Sequence, residues 1–315
     1  MLYNRISKLS KIFSRRFFAA KFFLQRKLCI TLFSIPRQAK KKATKGLQTV
    51  CALFKQRGVA FQVHQTAEVH DAERIAQRLT AVGENKLVVV GGDGTLHEVL
   101  NGIVDPTRCA LGLIPLGTGN DFAAAMGLPL NAADAARVIL DGVAKPLDYL
   151  HVGNRRCMNV TGFGMDVDVL ERCQKGKLKG KIKYLMSLMQ AIFAYKGCVL
   201  TVECEGETRE CNALLAAACN GSQFGGGIRI CPTAQINDGK ISVVTVDCIG
   251  GVFKLIGAFI ALLRGKILSY PKTRHFLCDE VRFTPKTPCT VQLDGELYDN
   301  LKMHIKIGCG LKMWY

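Results

Sequence analysis

Three consecutive valines, Val88-Val89-Val90, run straight into Gly91-Gly92-Asp93-Gly94-Thr95. The helical pattern Leu96-His97-Glu98-Val99-Leu100-Asn101-Gly102 follows at once. A short continuous apolar run bounded by a turn reads as a strand buried on both faces, as in a parallel sheet. The glycines lack Cβ atoms, so a phosphate chain can approach the backbone N–H groups closely. The helix that follows turns its positive end to the same spot. Glu98 and Asn101 are three apart and share one helix face. The alternative is a tight βα turn that needs glycine for geometry only, but Asp93 between glycines is unusual for such a turn.

A second unit repeats the design. Cys109 to Ile114 is a strand, Pro115-Leu116-Gly117-Thr118-Gly119-Asn120-Asp121-Phe122 is a glycine-rich loop, and a helix starts near Phe122. Two such loops at the carboxyl ends of adjacent parallel strands define the crevice where open α/β sheets bind ligands. Neither loop fits the Walker A pattern or the G-x-G-x-x-G dinucleotide fingerprint. Upstream, 43–57 reads as a helix ending at Gly58, 59–63 as a strand, 71–79 as a helix and 86–90 as a strand. This alternation predicts a parallel sheet with helices on its faces.

From about residue 146 short β-rich runs dominate, at 147–152, 156–160, 198–204, 212–219, 240–247, 279–284, 289–293 and 302–307. Helical segments interrupt at 180–196 and 252–264. The texture predicts a second, mostly antiparallel β-sandwich domain. The domains expected are an extension over 1–34, an α/β nucleotide-binding domain over 35–145 rejoined by 300–315, and a β-rich substrate domain over 146–299. Val291-Gln292-Leu293-Asp294-Gly295-Glu296 sets two carboxylates beside a turn glycine. It suits proton acceptance from a hydroxyl, or is simply a hairpin turn with solvated acids. Asn237-Asp238-Gly239-Lys240 reads as a hairpin turn. Phe224-Gly225-Gly226-Gly227 fits a mobile loop or close packing equally.

The net charge of +18 belongs to one end: residues 1–57 carry 15 Lys or Arg and no Asp or Glu. This argues against a nucleic-acid-binding body and for a basic arm. Residues 1–34 mix these cations with Phe, Leu and Ile, as an amphipathic membrane-surface helix or a disordered extension would. The 14 cysteines include no C-x-x-C pair and sit in apolar runs, as reduced thiols of a cytoplasmic protein do. No stretch is long and apolar enough to predict a transmembrane helix, and the N-terminus is a poor secretory signal.

Read together, these motifs resemble the diacylglycerol kinase catalytic domain family, especially its soluble bacterial lipid kinases, within a superfamily that includes sphingosine, ceramide and NAD kinases. The match runs from about Gly46 to Leu311. It rests on the two glycine loops, Asn159-Val160-Thr161-Gly162-Phe163-Gly164, Phe224 to Gly227, Asn237 to Lys240 and Leu293-Asp294-Gly295-Glu296.

The resemblance implies an ATP site between two domains. Gly91, Gly92, Asp93, Gly94 and Thr95 would hold nucleotide phosphates, with Thr118 and Asn120 in the second loop. Thr66 matches a threonine lining the nucleotide site in relatives. Glu98 and Asp121 would belong to the acidic network around a catalytic Mg²⁺. Asp294 and Glu296 would form the catalytic element, and Asp238 would hold a structural magnesium with backbone carbonyls near Gln235 and Lys240. Relatives carry a third phosphate loop with asparagine and glycine where this chain has Ile35 and Lys40. Lysines there would act as point charges rather than as a glycine cradle.

The expected function is Mg²⁺-dependent transfer of the ATP γ-phosphoryl group to a lipid hydroxyl. Diacylglycerol is the default acceptor, met peripherally at a membrane surface. The alternatives are a non-catalytic nucleotide- or lipid-binding relative, or a kinase for phosphatidylglycerol, a sphingoid base or NAD. Whether the chain forms a homodimer is not legible in the sequence.

Overall fold

The computed structural model describes residues 27–32, 40–175, 190, 197–248 and 250–315. The extension before Lys27, Ile35 of the altered loop and most of the predicted helix 180–196 lie outside the described residues. Among the described residues no helix is long and apolar enough to cross a membrane.

The N-terminal half alternates strands and helices in the order β1 (Lys27–Leu32), α1 (Lys40–Gln56), β2 (Ala60–Gln65), α2 (Asp71–Ala81), β3 (Lys86–Gly91), α3 (Asp93–Gly102), β4 (Ala110–Pro115), α4 (Asp121–Ala125) and α5 (Ala132–Asp141). The strands are parallel in the order β4-β3-β1-β2. Side chains of β3 alternate between two cores. Leu87 and Val89 pack with Ala72, Ala76, Leu96 and Val99 of α2 and α3. Val88 and Val90 pack with Val50 and Phe54 of α1 and Ile139 of α5. Both faces are therefore dry, which is why this strand reads as an unbroken apolar run.

One expectation needs correction. β1 falls inside the segment assigned to a basic extension, yet it pairs with β2 on one edge and β3 on the other. Its run Leu28-Cys29-Ile30-Thr31-Leu32 has strand-forming residues, but Arg26 and Lys27 extended the basic texture across its start. The extension therefore ends before Lys27.

The C-terminal half is antiparallel: β5 (Ala144–Val152), β6 (Arg155–Cys157), β7 (Val160–Gly164), β8 (Cys198–Cys204), β9 (Glu207–Cys219), β10 (Ile241–Asp247), β11 (Thr273–Cys278), β12 (Glu280–Pro285), β13 (Thr290–Leu293) and β14 (Glu296–Asp299). Helices α6 (Met165–Lys175) and α7 (Val252–Leu263) are inserted between them. The long β9 pairs with β7, β8 and β10. It faces one core with Ala213, Ala216 and Ala218 and another with Leu214, Leu215 and Ala217. The last strand, β15 (Met303–Trp314), pairs antiparallel with β5 and β12, and its end runs parallel to β4 at Lys312 and Met313. It stitches the antiparallel half to the edge of the parallel one.

Helices α2 and α3 meet at Gly102, where an added Cβ would lie 2.2 Å from the Glu73 carbonyl oxygen and 2.9 Å from the Ala76 Cβ. Gly102→Ala is expected to destabilise the fold by about 1–3 kcal/mol, although alanine is the better helix former. The shift in urea midpoint measures this.

Candidate active site

The two glycine loops touch backbone to backbone. An added Cβ on Gly117 would lie 2.5 Å from the Gly92 Cα, and one on Gly92 would lie 2.9 Å from the Gly117 Cα. Only glycine at both positions permits this approach. Asn120 shapes the second loop from a left-handed conformation, φ 54°. Its Oδ1 accepts the Gly117 N–H at 2.9 Å, and its Nδ2 donates to the Gly117 carbonyl at 3.0 Å. Asp93 crosses from the first loop to the second and accepts the N–H groups of Asp121 and Phe122, both at 3.1 Å. It thereby caps α4. Burial pushes the Asp93 carboxyl above its ordinary value, and the nearby Asp121 and Asp294 carboxylates push the same way.

Asp121 in turn accepts the N–H groups of Gly226 and Gly227, both at 2.7 Å, and the Gln223 amide at 3.2 Å. Gly225, Gly226 and Gly227 all have positive φ, and a Cβ on Gly226 or Gly227 would meet nothing within 4 Å. These glycines are needed for backbone conformation, not for close packing. Asp93 and Asp121 converge beside Gly119, where a Cβ would lie 3.2 Å from one carboxylate and 3.3 Å from the other. Two facing carboxylates offer the hard oxygen ligands that Mg²⁺ prefers.

Asp294 and Gly295 form a two-residue turn between β13 and β14, both at positive φ (53° and 90°), with Leu293 opposite Glu296. This is the geometry of a type I′ hairpin, for which Asp-Gly is well suited. The turn delivers its two acids to different places. The Asp294 side chain is only 3% exposed. It accepts the Met158 N–H at 2.8 Å, the Asn159 N–H at 2.8 Å, the Cys157 thiol at 3.1 Å and His97 Nδ1–H at 2.9 Å. With Nδ1 donating, His97 Nε2 accepts from the Tyr298 hydroxyl at 2.7 Å. Burial alone would raise the Asp294 carboxyl, but the His97 contact and the other donors outweigh it and hold it below its ordinary value. Burial pushes the Tyr298 hydroxyl up to about 12.

The Glu296 side chain, by contrast, is exposed and makes no hydrogen bond to the described residues. Its Oε1 lies 2.8 Å from where a Cβ on Gly94 would stand, in the first turn of α3. The positive end of that helix favours a carboxylate there. An apolar cleft of about 530 Å³ opens beside these groups. Its lining includes Asp93, Thr118, Asp121, Asp294 and Gly295, and otherwise mainly apolar side chains such as Phe122, Val160, Phe224 and Leu263.

The structure thus gathers Gly92, Asp93, Gly94, Thr118, Asn120, Asp121, Asp294 and Glu296 around one crevice. Gly91 and Thr95 flank it, with the Thr95 side chain filling the space over Gly91. Thr66 is buried just beyond the carboxyl end of β2. Glu98 departs from expectation. It accepts the N–H groups of His70 at 3.0 Å and Ala72 at 3.1 Å, so it caps the start of α2 and does not line the cleft. The free N–H groups of a helix start are a strong draw for a carboxylate one helix away.

The Asn237–Lys240 turn also departs from the predicted hairpin. No strand precedes it, and it packs on β5 instead. Asn237 Oδ1 accepts the Asp148 N–H at 2.8 Å, and Asp148 Oδ2 accepts the Gly239 N–H at 3.0 Å. Asp238 Oδ1 accepts the Lys240 N–H at 2.9 Å, Lys240 pairs with Asp279 at 2.7 Å, and Gln235 is exposed. Asp148 and Asp238 each accept one backbone N–H of this turn through a single carboxylate oxygen. No local pattern marks Asp148, and nothing beyond residue type marks His97 or Tyr298. Among the described residues no three His, Cys, Asp or Glu side chains cluster as metal ligands.

The Asp294 carboxyl lies below its unfolded value of 3.8, so the native state binds that proton more weakly than the unfolded chain does. The stabilisation is therefore complete above pH 3.8 and disappears as pH falls through the native value. Asp294→Asn is expected to lose about 3 kcal/mol or more at neutral pH and to flatten the acid limb of the stability curve. Urea unfolding across pH checks both.

Comparison with known proteins identifies the family. The diacylglycerol kinase catalytic domain family matches residues 30–152, and the YegS C-terminal NAD kinase beta sandwich-like domain matches residues 159–310. A "Probable lipid kinase YegS-like" protein of Xanthomonas oryzae is 31% identical over 275 residues, covering 84% of this chain and 88% of its own. A diacylglycerol kinase of Bacillus subtilis is 26% identical over 284 residues, covering 86% and 93%. The crystal structure of a diacylglycerol kinase from Bacillus anthracis shares the fold with a TM-score of 0.73 at 24% identity, covering 92% of this chain and 97% of that one. The chain belongs to the diacylglycerol kinase catalytic domain family, among its YegS-like lipid kinases.

Proposed function

We propose that this protein transfers the γ-phosphoryl group of ATP to the hydroxyl of a lipid, with diacylglycerol as the leading acceptor. The carrying observation is that an apolar cleft ends against an acidic hairpin and two glycine loops at once. The loops suit the triphosphate: Gly92, Gly94 and Gly117 bare the backbone, and α3 points its positive end into the crevice. The cleft suits an acyl chain, since Leu96, Phe122, Val160, Phe224, Ile228 and Leu263 line it.

The hairpin divides the acid work. Asp294 is engaged by four donors and held below its ordinary value, which makes it a poor proton acceptor and a good anchor. Glu296 is uncommitted and stands at the N-terminal turn of α3. It is the group placed to take the acceptor hydroxyl's proton as the oxygen attacks phosphorus. Asp93 and Asp121 would hold the catalytic Mg²⁺, and Asp238 with Asp148 would hold the structural one. Bound metal would neutralise charge on the phosphoryl oxygens.

A peripheral encounter with an anionic membrane fits helix α7. Phe253 is 90% exposed, Ile260 and Leu263 are also exposed, and Lys254, Arg264 and Lys266, exposed as well, lie near them along the chain. Leu263 also lines the cleft, so this apolar face is continuous with the acceptor pocket.

Two outcomes are expected. Glu296→Gln lowers kcat about 10²–10⁴-fold with an unchanged thermal midpoint, read by ATP consumption with Mg²⁺ and diacylglycerol micelles. Absence of lipid-dependent turnover in the parent protein would refute the proposal. Phe253→Asp weakens sedimentation with anionic vesicles while leaving turnover of a dispersed short-chain lipid within about twofold, because the exposed ring touches no site residue.

A further inference from the structure

A pair of thiols lies outside the crevice. Cys198 opens β8, and Cys289 ends the turn that leads from β12 into β13. β12 pairs with β8 up to Pro285 opposite Leu200, and the Lys286 N–H then donates to the Val199 carbonyl at 2.9 Å. The chain folds over the start of β8 from there, which brings Cys289 to Cys198. Both are half-buried and pack on the core of the antiparallel half. Both line a cavity of about 220 Å³, with Phe163, Val167, Asp168 and Glu171. The Cys289 thiol donates a hydrogen bond to the Cys198 sulfur. β13 joins this cavity to the crevice: Thr290 lines the cavity, and Asp294, just past the far end of the strand, lines the cleft. A second thiol pair, Cys204 with Cys278, is also hydrogen bonded, but Cys278 is 0% exposed.

We propose that Cys198 and Cys289 form a redox modification site, at which a hydroperoxide converts the two thiols into a reversible disulfide. The backbones are already held together by the β8–β12 ladder, so side-chain rotation is the movement that brings touching sulfurs to bonding distance. The Cys198 thiolate attacks one peroxide oxygen, the O–O bond breaks, and Cys198 becomes a sulfenic acid as water or an alcohol leaves. The Cys289 sulfur then attacks the sulfenic sulfur. The S–O bond breaks, the hydroxyl leaves with the Cys289 proton as water, and the S–S bond forms. Two thiols thus give up two electrons and one peroxide takes them; a dithiol reductant reverses the step.

The hydrogen bond between the thiols assigns their roles. It holds Cys198 down to about 7 against the opposing effect of burial, so much of that thiol is thiolate at neutral pH. The same contact, with burial, pushes Cys289 up, which keeps it protonated as the resolving thiol. Once Cys198 carries oxygen, its anion no longer retains that proton.

The test adds hydrogen peroxide to the folded full-length protein at neutral pH and then blocks free thiols with N-ethylmaleimide. Digestion with trypsin and a glutamate-specific protease maps the bonds, with cleavage after Glu203 separating Cys198 from Cys204. The expected result is two fewer maleimide additions than in the untreated protein and a linkage between the Cys198 and Cys289 fragments, both reversed by dithiothreitol. Cys289→Ser removes the resolving thiol, so dimedone labelling of the Cys198 sulfenic acid should rise about fivefold or more over the parent. Cys198→Ser should leave Cys289 unoxidised. The map of the parent protein decides the matter even where a variant fails to fold. A bond between another pair in its place, Cys204 with Cys278 included, would overturn the proposal. So would oxidation that stops at Cys198 without a bond, equally fast oxidation of the exposed Cys309, or a Cys198 that resists peroxide.

Discussion

A buried carboxylate can persist only where the fold surrounds it with donors, and here that requirement ties the two halves of the molecule together. Asp294 receives its hydrogen bonds from His97 on α3 and from the backbone of Met158 and Asn159 between β6 and β7. One donor belongs to the parallel half and the others to the antiparallel half. Removing any of them leaves a charge in a dry place, so the hairpin, α3 and the β6–β7 segment must move as one. The position of Glu296 against the start of α3 follows from that constraint. Asn101 reinforces the joint, since its side chain bonds both the N–H and the carbonyl of Arg156 at 2.9 Å.

The acids of the crevice illustrate a division between groups that build the site and groups left for chemistry. Asp93 caps α4, Asp121 closes on the Gly226–Gly227 backbone, and Glu98 caps α2. Each carboxylate is held by N–H donors, which fixes its place. Glu296 alone among the predicted acids of the crevice has no such partner among the described residues. Its side chain is thus the one acid of this set that no backbone N–H among the described residues holds in place.

Much of this was legible from the chain. The glycine loops announced themselves because close backbone approach leaves no other residue, and the Asp-Gly pair specified its own turn type. The parallel strands read correctly because burial on both faces makes them uniformly apolar. What failed to show has physical causes. β1 was obscured because lysine and arginine at its start resemble the basic segment before it. Glu98 was misplaced because helical spacing says which face a side chain occupies but not which neighbouring helix start will claim it. Asp148 and His97 carry no local pattern, since their partners lie far along the chain.

The last strand carries a consequence for how the molecule comes into being. β4 has β3 on one side, and among the described residues its other edge is met by Lys312 and Met313 of β15. On the ribosome the parallel half therefore emerges with a bare edge that stays open until Lys312 and Met313 are made, roughly two hundred residues later. An open edge of buried-type strands invites pairing with other nascent chains. Assembly of the parallel half thus waits on translation of β15, and a message stalled before it would leave behind a sticky fragment.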